Sequence, residues 1–201
     1  MASASQRRIA PLSVTAFRSW VDSRPDEEHW ELIDGVPIMM APATHDRRRI
    51  ASNLERLLND AIEHLPQPRV PPIAAYQRIG VNLGPVVEDY DPEPDVAVVQ
   101  VPTTRDQRYA DRFFLVAEVV SQSDEAKIEG KREVYKHHPD CECVLVIRQD
   151  RFDVTVDLRA EEVWARQTLS APDDRLSLPA FGLQCSLKDI YKGTISPREP
   201  A

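Results

Sequence analysis

The feature that most constrains this sequence is the apolar run from Phe113 to Val120, FFLVAEVV, which carries one carboxylate, Glu118, near its end. A run of branched and aromatic residues without Gly or Pro is typical of a buried strand. The apolar neighbours of Glu118 indicate that at least one face of this strand is covered. Because an ionised carboxylate is costly to bury without a partner, Glu118 is a candidate functional residue. Alternatively, Glu118 points to solvent at an amphipathic edge.

A helix-like segment over 124–136 follows, and Ser123 could cap its first turn. Ile128, Lys131 and Tyr135 recur at i, i+3 and i+7, so Lys131 shares a stripe with two residues that should pack inward. A lysine among inward-facing side chains needs a carboxylate or a phosphate as its partner. The alternative is that Lys131 belongs to the solvated face of a charged helix.

The segments 95–101 and 113–120 form a hairpin if residues 102–112 turn the chain, and the composition of those residues suits a turn. In an antiparallel pair centred between residues 106 and 107, Asp95 faces Glu118. Directly opposed residues have their Cβ atoms roughly 5 Å apart. The sequence therefore predicts two carboxylates that meet across neighbouring strands. The simpler alternative makes Asp95 a turn residue of its EPD loop.

Two opposed carboxylates raise each other's pKa and destabilise the hairpin unless a cation or a proton offsets their charge. A divalent metal is the economical explanation. Mg²⁺ suits such a site, with Mn²⁺ as the alternative, because it takes oxygen ligands and is usually held by one or two carboxylates and a substrate phosphate. Glu31, on an earlier predicted strand, either supplies a third carboxylate or faces water, and Lys131 supplies positive charge. We therefore expect Asp95 and Glu118 to be metal ligands.

The other elements are predicted from periodicity and from turn residues. Ser13 is the expected N-cap of a short helix over 14–21, and Asp34-Gly35 is the dipeptide that most readily turns a tight hairpin within HWELIDGVPIMM. Apolar residues recur at helical spacing over 50–65, ahead of a proline cluster that ends the helix. The segment 76–83 is strand-like.

Three later segments have the alternation of a terminal meander of strands: CVLVIRQ, RFDVTVDL and EEVWARQTL. A short last helix, LKDIYKG, is expected after them. The element order is α, ββ, α, βββ, α, βββ. This order predicts a mixed α/β (α+β) domain over residues 12–193, with helices against one central sheet. We expect residues 1–11 and 194–201 to be flexible ends.

The charge balance restricts the partners of such a domain. The chain has 25 basic and 33 acidic residues, a formal net charge of −8, which argues against non-specific coating of nucleic acid. This charge does not exclude a nuclease, because metal-binding carboxylates add negative charge and basic contacts with nucleic acid can be local. Arg47, Arg48 and Arg49 form one local cluster. Such a run is most often a solvated helix start, yet three cations there oppose the helix dipole and hint at an anionic neighbour.

Three cysteines, Cys141, Cys143 and Cys185, are expected to be free thiols, since no CxxC pair and no histidine at matching spacing indicates a zinc site. No segment approaches the roughly 18 apolar residues of a membrane span. The N-terminus has two arginines without an apolar run after them, which indicates neither a secretory signal nor an anchor. We therefore expect a cytoplasmic protein. His45 is expected at the surface.

The segments WELIDG, APATHD, EPDVAVV, AEVVSQS, KREVY and CVLVI occur in this order between about residues 12 and 160. As an ordered set they resemble the Uma family of restriction endonucleases, in the PD-(D/E)XK nuclease superfamily. The resemblance implies a restriction-endonuclease-like core, a central mixed sheet flanked by helices. It also implies Mg²⁺ bound by Asp95 and Glu118, with Glu31 in support.

Two positions depart from the pattern of the superfamily. Its lysine usually lies two residues after the glutamate, but that position is Val120 here. The resemblance to the Uma family implies a lysine moved to the following helix, where Lys131 lies four residues before Tyr135. Lys127 stands where members often have an aspartate. This departure makes Lys127 a second candidate for the functional lysine and indicates reduced activity.

Together these features predict a Mg²⁺-dependent endonuclease that hydrolyses nucleic-acid phosphodiester bonds, with Glu31, Asp95, Glu118 and Lys131 as its catalytic residues. DNA is the expected substrate, and a homodimer would suit the cleavage of two strands. One alternative is a catalytically silent domain that keeps the fold and acts as a binding or regulatory protein. Another is a structural module without a cation site, which predicts that Asp95 and Glu118 lie far apart.

Overall fold

The computed structural model describes residues 11–104, 107–121 and 124–195. Its helices are α1 (Val14–Val21), α2 (His45–Glu63), α3 (Glu125–Lys136) and α4 (Leu187–Ile190). Its strands are β1 (Trp30–Ile33), β2 (Val36–Met39), β3 (Ile73–Gln77), β4 (Gly80–Val81), β5 (Val96–Gln100), β6 (Tyr109–Ala110), β7 (Phe113–Val120), β8 (Cys143–Arg148), β9 (Val154–Ala160), β10 (Val163–Leu169), β11 (Arg175–Leu178) and β12 (Leu183–Ser186).

A six-stranded sheet forms the centre of the fold, in the order β10-β9-β8-β7-β5-β3. The interior strand β7 pairs in parallel with β8 and antiparallel with β5. The remaining neighbours in this sheet are antiparallel, so the sheet is mixed. The predicted mixed α/β fold, with helices packed on a central sheet, is confirmed.

Side-chain alternation along β5 assigns the two faces of the sheet. Val96 and Val98 pack in the large core cluster that includes Ile50 of α2. Ala97 and Val99 pack in a second cluster that includes Tyr135 of α3. Since successive side chains of a strand point to opposite faces, α2 covers one face of the sheet and α3 the other.

Every residue of β7 is buried, as the apolar run Phe113–Val120 predicts. Val116 packs in the cluster that holds Tyr135, and Val120 packs with Ile128 of α3. Glu118 lies between these two valines in the alternation, so it shares their face of the strand. Its carboxylate is therefore directed toward α3, and the alternative of a solvent-facing edge is wrong.

Strands β1 and β2 form the predicted hairpin, with Asp34 at φ 51° and Gly35 at φ 72° in its turn. Leu32 of β1 exchanges two backbone hydrogen bonds with Asp91, and its side chain packs against α1. These contacts fasten the hairpin to the segment that leads into β5. They thereby fix the position of Glu31, the neighbour of Leu32.

The prediction of one continuous strand over 76–83 is wrong. β3 begins at Ile73 and ends at Gln77, and Arg78 has a left-handed backbone with φ of 55°. The chain then enters β4, which pairs in parallel with β6 outside the main sheet. A residue in the left-handed region cannot continue a strand, so the apolar pattern is divided between two sheets.

Helix α2 starts earlier than its apolar periodicity indicates, because Thr44 is its N-cap. The Thr44 side-chain oxygen accepts the backbone N–H of Arg47 at 3.2 Å. His45 is exposed at the first helical position. The short first helix is capped by Ser13 as predicted, since its hydroxyl accepts the N–H of Ala16 at 3.3 Å.

The terminal meander of β8, β9 and β10 and the short helix α4 are confirmed, whereas the β11–β12 hairpin was not predicted. The three cysteines are free and buried. The proposed cap Ser123, the side chain of Lys127 and most of the predicted flexible ends lie outside the described residues. Within the described ranges, no helix has both the length and the apolar character needed to cross a membrane.

Candidate active site

An ion-paired cluster lies where β1, β7 and α3 meet. The Lys131 ammonium is 2.7 Å from Glu31 Oε1 and 3.2 Å from Glu118 Oε1. Only 12% of the Lys131 side chain is exposed, and 3% of each glutamate side chain. The lysine that the helical spacing directs inward therefore bridges carboxylates from two strands.

A second donor from α3 binds Glu118. The Tyr135 hydroxyl donates to Glu118 Oε1 at 2.7 Å, and Tyr135 is fully buried. Tyr135 and Lys131 are four residues apart on α3, so both reach the same oxygen. No described residue donates to Glu118 Oε2. The lone pairs of Oε2 are therefore not used by any described residue.

Glu31 is held from two sides. Its Oε1 accepts hydrogen bonds from the Lys131 ammonium at 2.7 Å and from the backbone N–H of Glu93 at 2.9 Å. The Glu93 contact comes from the segment that leads into β5, so Glu31 has a fixed orientation. This geometry makes Glu31 a support for the ammonium of Lys131.

Asp95 lies immediately before β5 and accepts two hydrogen bonds. Arg47 Nε donates to Asp95 Oδ1 at 2.8 Å, and the backbone N–H of Val119 donates to Oδ2 at 2.7 Å. Val119 is the residue after Glu118, so this second bond ties Asp95 to the strand that carries Glu118. Arg47 comes from the first turn of α2, on the other side of the sheet from α3.

The two predicted metal ligands are cross-strand neighbours. Val96 of β5 faces Ala117 of β7. Asp95 and Glu118, one position further along each strand, therefore lie opposite each other. The register shifts only beyond Val98, away from the site. The hairpin register predicted from the sequence is confirmed, and the alternative that separates the two carboxylates is wrong.

Burial and charge perturb the ionisation of the cluster. Burial favours the neutral amine of Lys131, but the carboxylates of Glu118 and Glu31 outweigh it, so the pKa of the ammonium is raised. Burial raises the pKa of Glu31 despite Lys131, and that of Asp95 despite Arg47. Lys131 is therefore a stable cation, and Asp95 would gain from an additional cation nearby.

A cleft of about 380 Å³ opens onto the cluster. Its walls include Glu31, Arg47, Glu118 and Lys131, and residues 38–44 between β2 and α2 form another side. Asp95 is not among the described lining residues, although its partner Arg47 is. The cleft is large enough for part of an extended ligand and presents both acidic and basic groups to it.

A sequence profile of the Uma2 family, described as "Putative restriction endonuclease", matches residues 14–188, which is most of the chain. The chain belongs to the Uma2 family. The matched region contains every residue of the cluster, so the site lies inside the part of the chain that defines the family. The resemblance inferred from the ordered sequence segments is thereby confirmed.

The fold of this Uma2 chain is also found in a solved structure described as a putative nuclease belonging to DUF820 from Anabaena variabilis. The two share 19% sequence identity with a TM-score of 0.68, over 90% of this chain and 98% of that one. This likeness supports the nuclease-type fold. A comparison with proteins of curated function gave no match.

The donor set of the Uma2 site fits a hard divalent cation. Asp95 and Glu118 offer carboxylate oxygens from opposed positions, and Glu118 Oε2 has no donor among the described residues. In the described ranges, no group of three or more His, Cys, Asp or Glu side chains is arranged to hold a metal. Two carboxylates, completed by water and phosphate oxygens, are nevertheless a usual shell for Mg²⁺.

Two residues at the Uma2 site received no catalytic role from sequence reasoning. The anionic neighbour expected near Arg47 is Asp95, which the chain order alone could not identify. Tyr135 packs inward as predicted, but its bond to Glu118 depends on how α3 lies across β7. The four-residue spacing between Lys131 and Tyr135 is the signal that links the tyrosine to the site.

Proposed function

We propose that this Uma2 protein is a Mg²⁺-dependent endonuclease that hydrolyses phosphodiester bonds, with DNA as its substrate. One observation carries the proposal: a nearly buried ammonium, Lys131, bridges Glu31 and Glu118, while Asp95 faces Glu118 from the next strand. Two opposed carboxylates and one fixed cation at a cleft are the groups that phosphoryl transfer requires.

Asp95 and Glu118 would hold the metal ion. When bound, Mg²⁺ polarises a phosphoryl oxygen and lowers the pKa of a water molecule. Tyr135 keeps Glu118 in one orientation by donating to Oε1, so that Oε2 is directed away from this bond. The backbone N–H of Val119 orients Asp95 in the same way. The chain therefore fixes the orientation of both carboxylates before a metal ion binds.

Lys131 would act as a positive charge and a hydrogen-bond donor. Because its pKa is raised by the two glutamates, Lys131 keeps its proton at neutral pH and cannot be the general base. Its ammonium would orient the attacking water or stabilise the negative charge that develops on the phosphoryl group. Glu31 holds the ammonium in place for this role.

The reaction adds a water oxygen to phosphorus and breaks one P–O ester bond. One proton leaves the water, and one proton reaches the departing oxygen. The charge on the phosphoryl oxygens increases in the transition state, so donors fixed beforehand stabilise it more than the ground state. The cluster of Lys131, Glu31 and Tyr135 supplies this preorganisation.

A catalytically silent Uma2 fold is the second candidate, and one observation favours it. Each carboxylate of the cluster already has a cationic partner, since Lys131 binds Glu31 and Glu118, and Arg47 binds Asp95. Such a network is compatible with a purely structural role.

Plasmid cleavage separates the two candidates. With Mg²⁺ or Mn²⁺, the wild-type protein should nick supercoiled DNA, and EDTA should stop it. Glu118→Gln and Asp95→Asn should each lower the rate by about 10²-fold or more, because each removes a ligand of the metal that stabilises transition-state charge. Asp26→Asn is the matched control, since Asp26 is 88% exposed and its ion pair among the described residues is with Arg108 at the surface. Equal rates for wild type and Glu118→Gln would rule out this active site.

A further inference from the structure

We propose that Arg47 binds the substrate phosphate, and that it does so by exchanging the carboxylate of Asp95 for that phosphate. The inference rests on the proposed nuclease function and adds a residue to it. In the structure, Arg47 bonds Asp95 through Nε at 2.8 Å.

Arg47 separates Asp95 from the cleft. Arg47 lines the cleft wall together with Glu118 and Lys131, whereas Asp95 is absent from the described lining residues. The exposed fractions agree with this arrangement, at 20% for the Arg47 side chain and 12% for that of Asp95. A ligand that enters the cleft therefore meets Arg47 before it meets Asp95.

Most donors of Arg47 have no partner among the described residues. A guanidinium has five N–H donors, and the bond to Asp95 takes only the one on Nε. Neither Nη atom donates to a described residue. Since both Nη atoms carry two donors in a planar fork, they can bind two oxygens of one phosphate. Arg47 is thus placed at the cleft with the geometry of a phosphate ligand.

Arg47 and a metal ion compete for the same carboxylate. Asp95 Oδ2 is already bound by the N–H of Val119, so Oδ1 is the oxygen that Arg47 occupies and that a cation from the cleft would reach. Release of Arg47 from Oδ1 would expose Asp95 and free the whole fork. The phosphate then replaces the carboxylate as the anion of Arg47, so the charge balance of the site is maintained.

Exchange of Asp95 for phosphate and mere positioning of Asp95 by Arg47 predict opposite changes in metal affinity when Arg47 is removed. If Arg47 only held Asp95 in place, its removal would weaken metal binding. If Arg47 competes for Asp95, Arg47→Ala should bind Mn²⁺ several-fold more tightly than the wild type in calorimetry without nucleic acid. The same variant should bind nucleic acid more weakly, because one phosphate contact is lost.

The nucleic-acid arm uses fluorescein-labelled DNA and RNA oligonucleotides of one sequence in EDTA, with binding measured by anisotropy. Arg47→Ala should weaken binding about tenfold and reduce the salt slope by about one. Arg47→Lys keeps a cation beside Asp95 but loses the planar fork of donors. Its affinity for the oligonucleotides should therefore lie between those of the wild type and Arg47→Ala. Circular dichroism and the thermal midpoint show that each variant is folded.

Arg56→Ala is the matched control, because Arg56 lies on the same helix, is 55% exposed and pairs with Asp60 at 3.0 Å. It removes the same charge and should leave both affinities unchanged. Weaker Mn²⁺ binding by Arg47→Ala, unchanged oligonucleotide binding, or a wild type that binds neither oligonucleotide would overturn the inference. A wild type that takes up no Mn²⁺ refutes the proposed metal-dependent function instead, and the oligonucleotide arm then decides the role of Arg47.

Discussion

At the scale of single residues, the site is organised around oxygen atoms of Glu118. Oε1 accepts bonds from Lys131 and Tyr135, whereas Oε2 has no donor among the described residues. The two oxygens therefore differ, because the described residues donate hydrogen bonds to only one of them. A carboxylate held in this way is oriented before any ligand arrives, which lowers the cost of binding that ligand.

Removal of the Tyr135 hydroxyl tests whether its hydrogen bond holds Glu118 in one orientation. Tyr135→Phe keeps the ring in the core but removes a buried hydrogen bond to a charged group, so the free energy of unfolding should fall by roughly 1.5–3 kcal/mol. Urea unfolding measures the change. Cleavage should slow as well, because Glu118 loses its fixed rotamer.

Tyr76→Phe is the control, since Tyr76 is half-buried and its hydroxyl makes no bond to a described residue. It should change stability by no more than about 0.5 kcal/mol. If Tyr135→Phe were as stable as Tyr76→Phe, the hydroxyl of Tyr135 would not be holding Glu118.

Sequence reasoning identifies some of these residues and not others, for a physical reason. Lys131 is predicted because helical spacing places it among inward-facing residues, and Glu118 because an acid stands out in an apolar strand. Arg47 is different, since its partner Asp95 is 48 positions away along the chain. A pair at that separation is set by how α2 meets β5, which no local pattern encodes.

At the scale of elements, α3 is held on the sheet by a second ion-paired cluster. Arg132 Nε donates to the buried Asp157 Oδ2 at 3.0 Å, and Arg166 Nε donates to Oδ1 at 2.9 Å. The Lys136 ammonium also lies 3.4 Å from Asp157. Arg132 follows Lys131 directly, so the contact that fixes α3 on β9 also fixes the lysine of the candidate active site.

Asp157→Asn tests this anchor. The substitution removes the buried charge partner of Arg132 and leaves its guanidinium, among the described residues, paired only with the 58% exposed Glu129. Breaking a buried pair in this way costs about 3–5 kcal/mol. Urea unfolding should show a loss in this range. The double substitution Arg132→Met with Asp157→Leu removes both charges and should recover much of that stability.

Asp173→Asn provides the exposed comparison, because Asp173 is 81% exposed and pairs with Lys188. It should cost about 1 kcal/mol or less. Similar losses for Asp157→Asn and Asp173→Asn would show that the buried cluster does not anchor α3.

Elements with local signals are predicted well, and those with distant partners are not. The Asp34-Gly35 turn and the β5–β7 register follow from turn chemistry and from symmetry about the connecting residues. The division of segment 76–83 depends instead on Arg78, whose left-handed backbone has no sequence signal. The β11–β12 hairpin has four residues in each strand and, among the described strands, forms a two-stranded sheet of its own. Its alternation is therefore too short to detect in the sequence.

At the scale of the whole molecule, the fold brings four separate segments to one cleft and a fifth directly behind it. β1 supplies Glu31, β7 supplies Glu118, α3 supplies Lys131 and α2 supplies Arg47. Asp95, immediately before β5, contacts Arg47 from behind the cleft wall. The helices approach from opposite faces of the sheet, so the cations of the site come from both sides. With a net charge of −8, contact with nucleic acid should be local and should weaken with added salt.

Calorimetric titration of Mn²⁺ into the 201-residue chain decides whether Asp95 and Glu118 form one metal site. We predict one bound Mn²⁺ per chain for the wild type, and no such heat for Asp95→Asn or Glu118→Gln, each shown to be folded by circular dichroism. Asp26→Asn should bind as the wild type does. A wild type that binds no Mn²⁺, or a Glu118→Gln variant that binds it with unchanged affinity, would contradict the account.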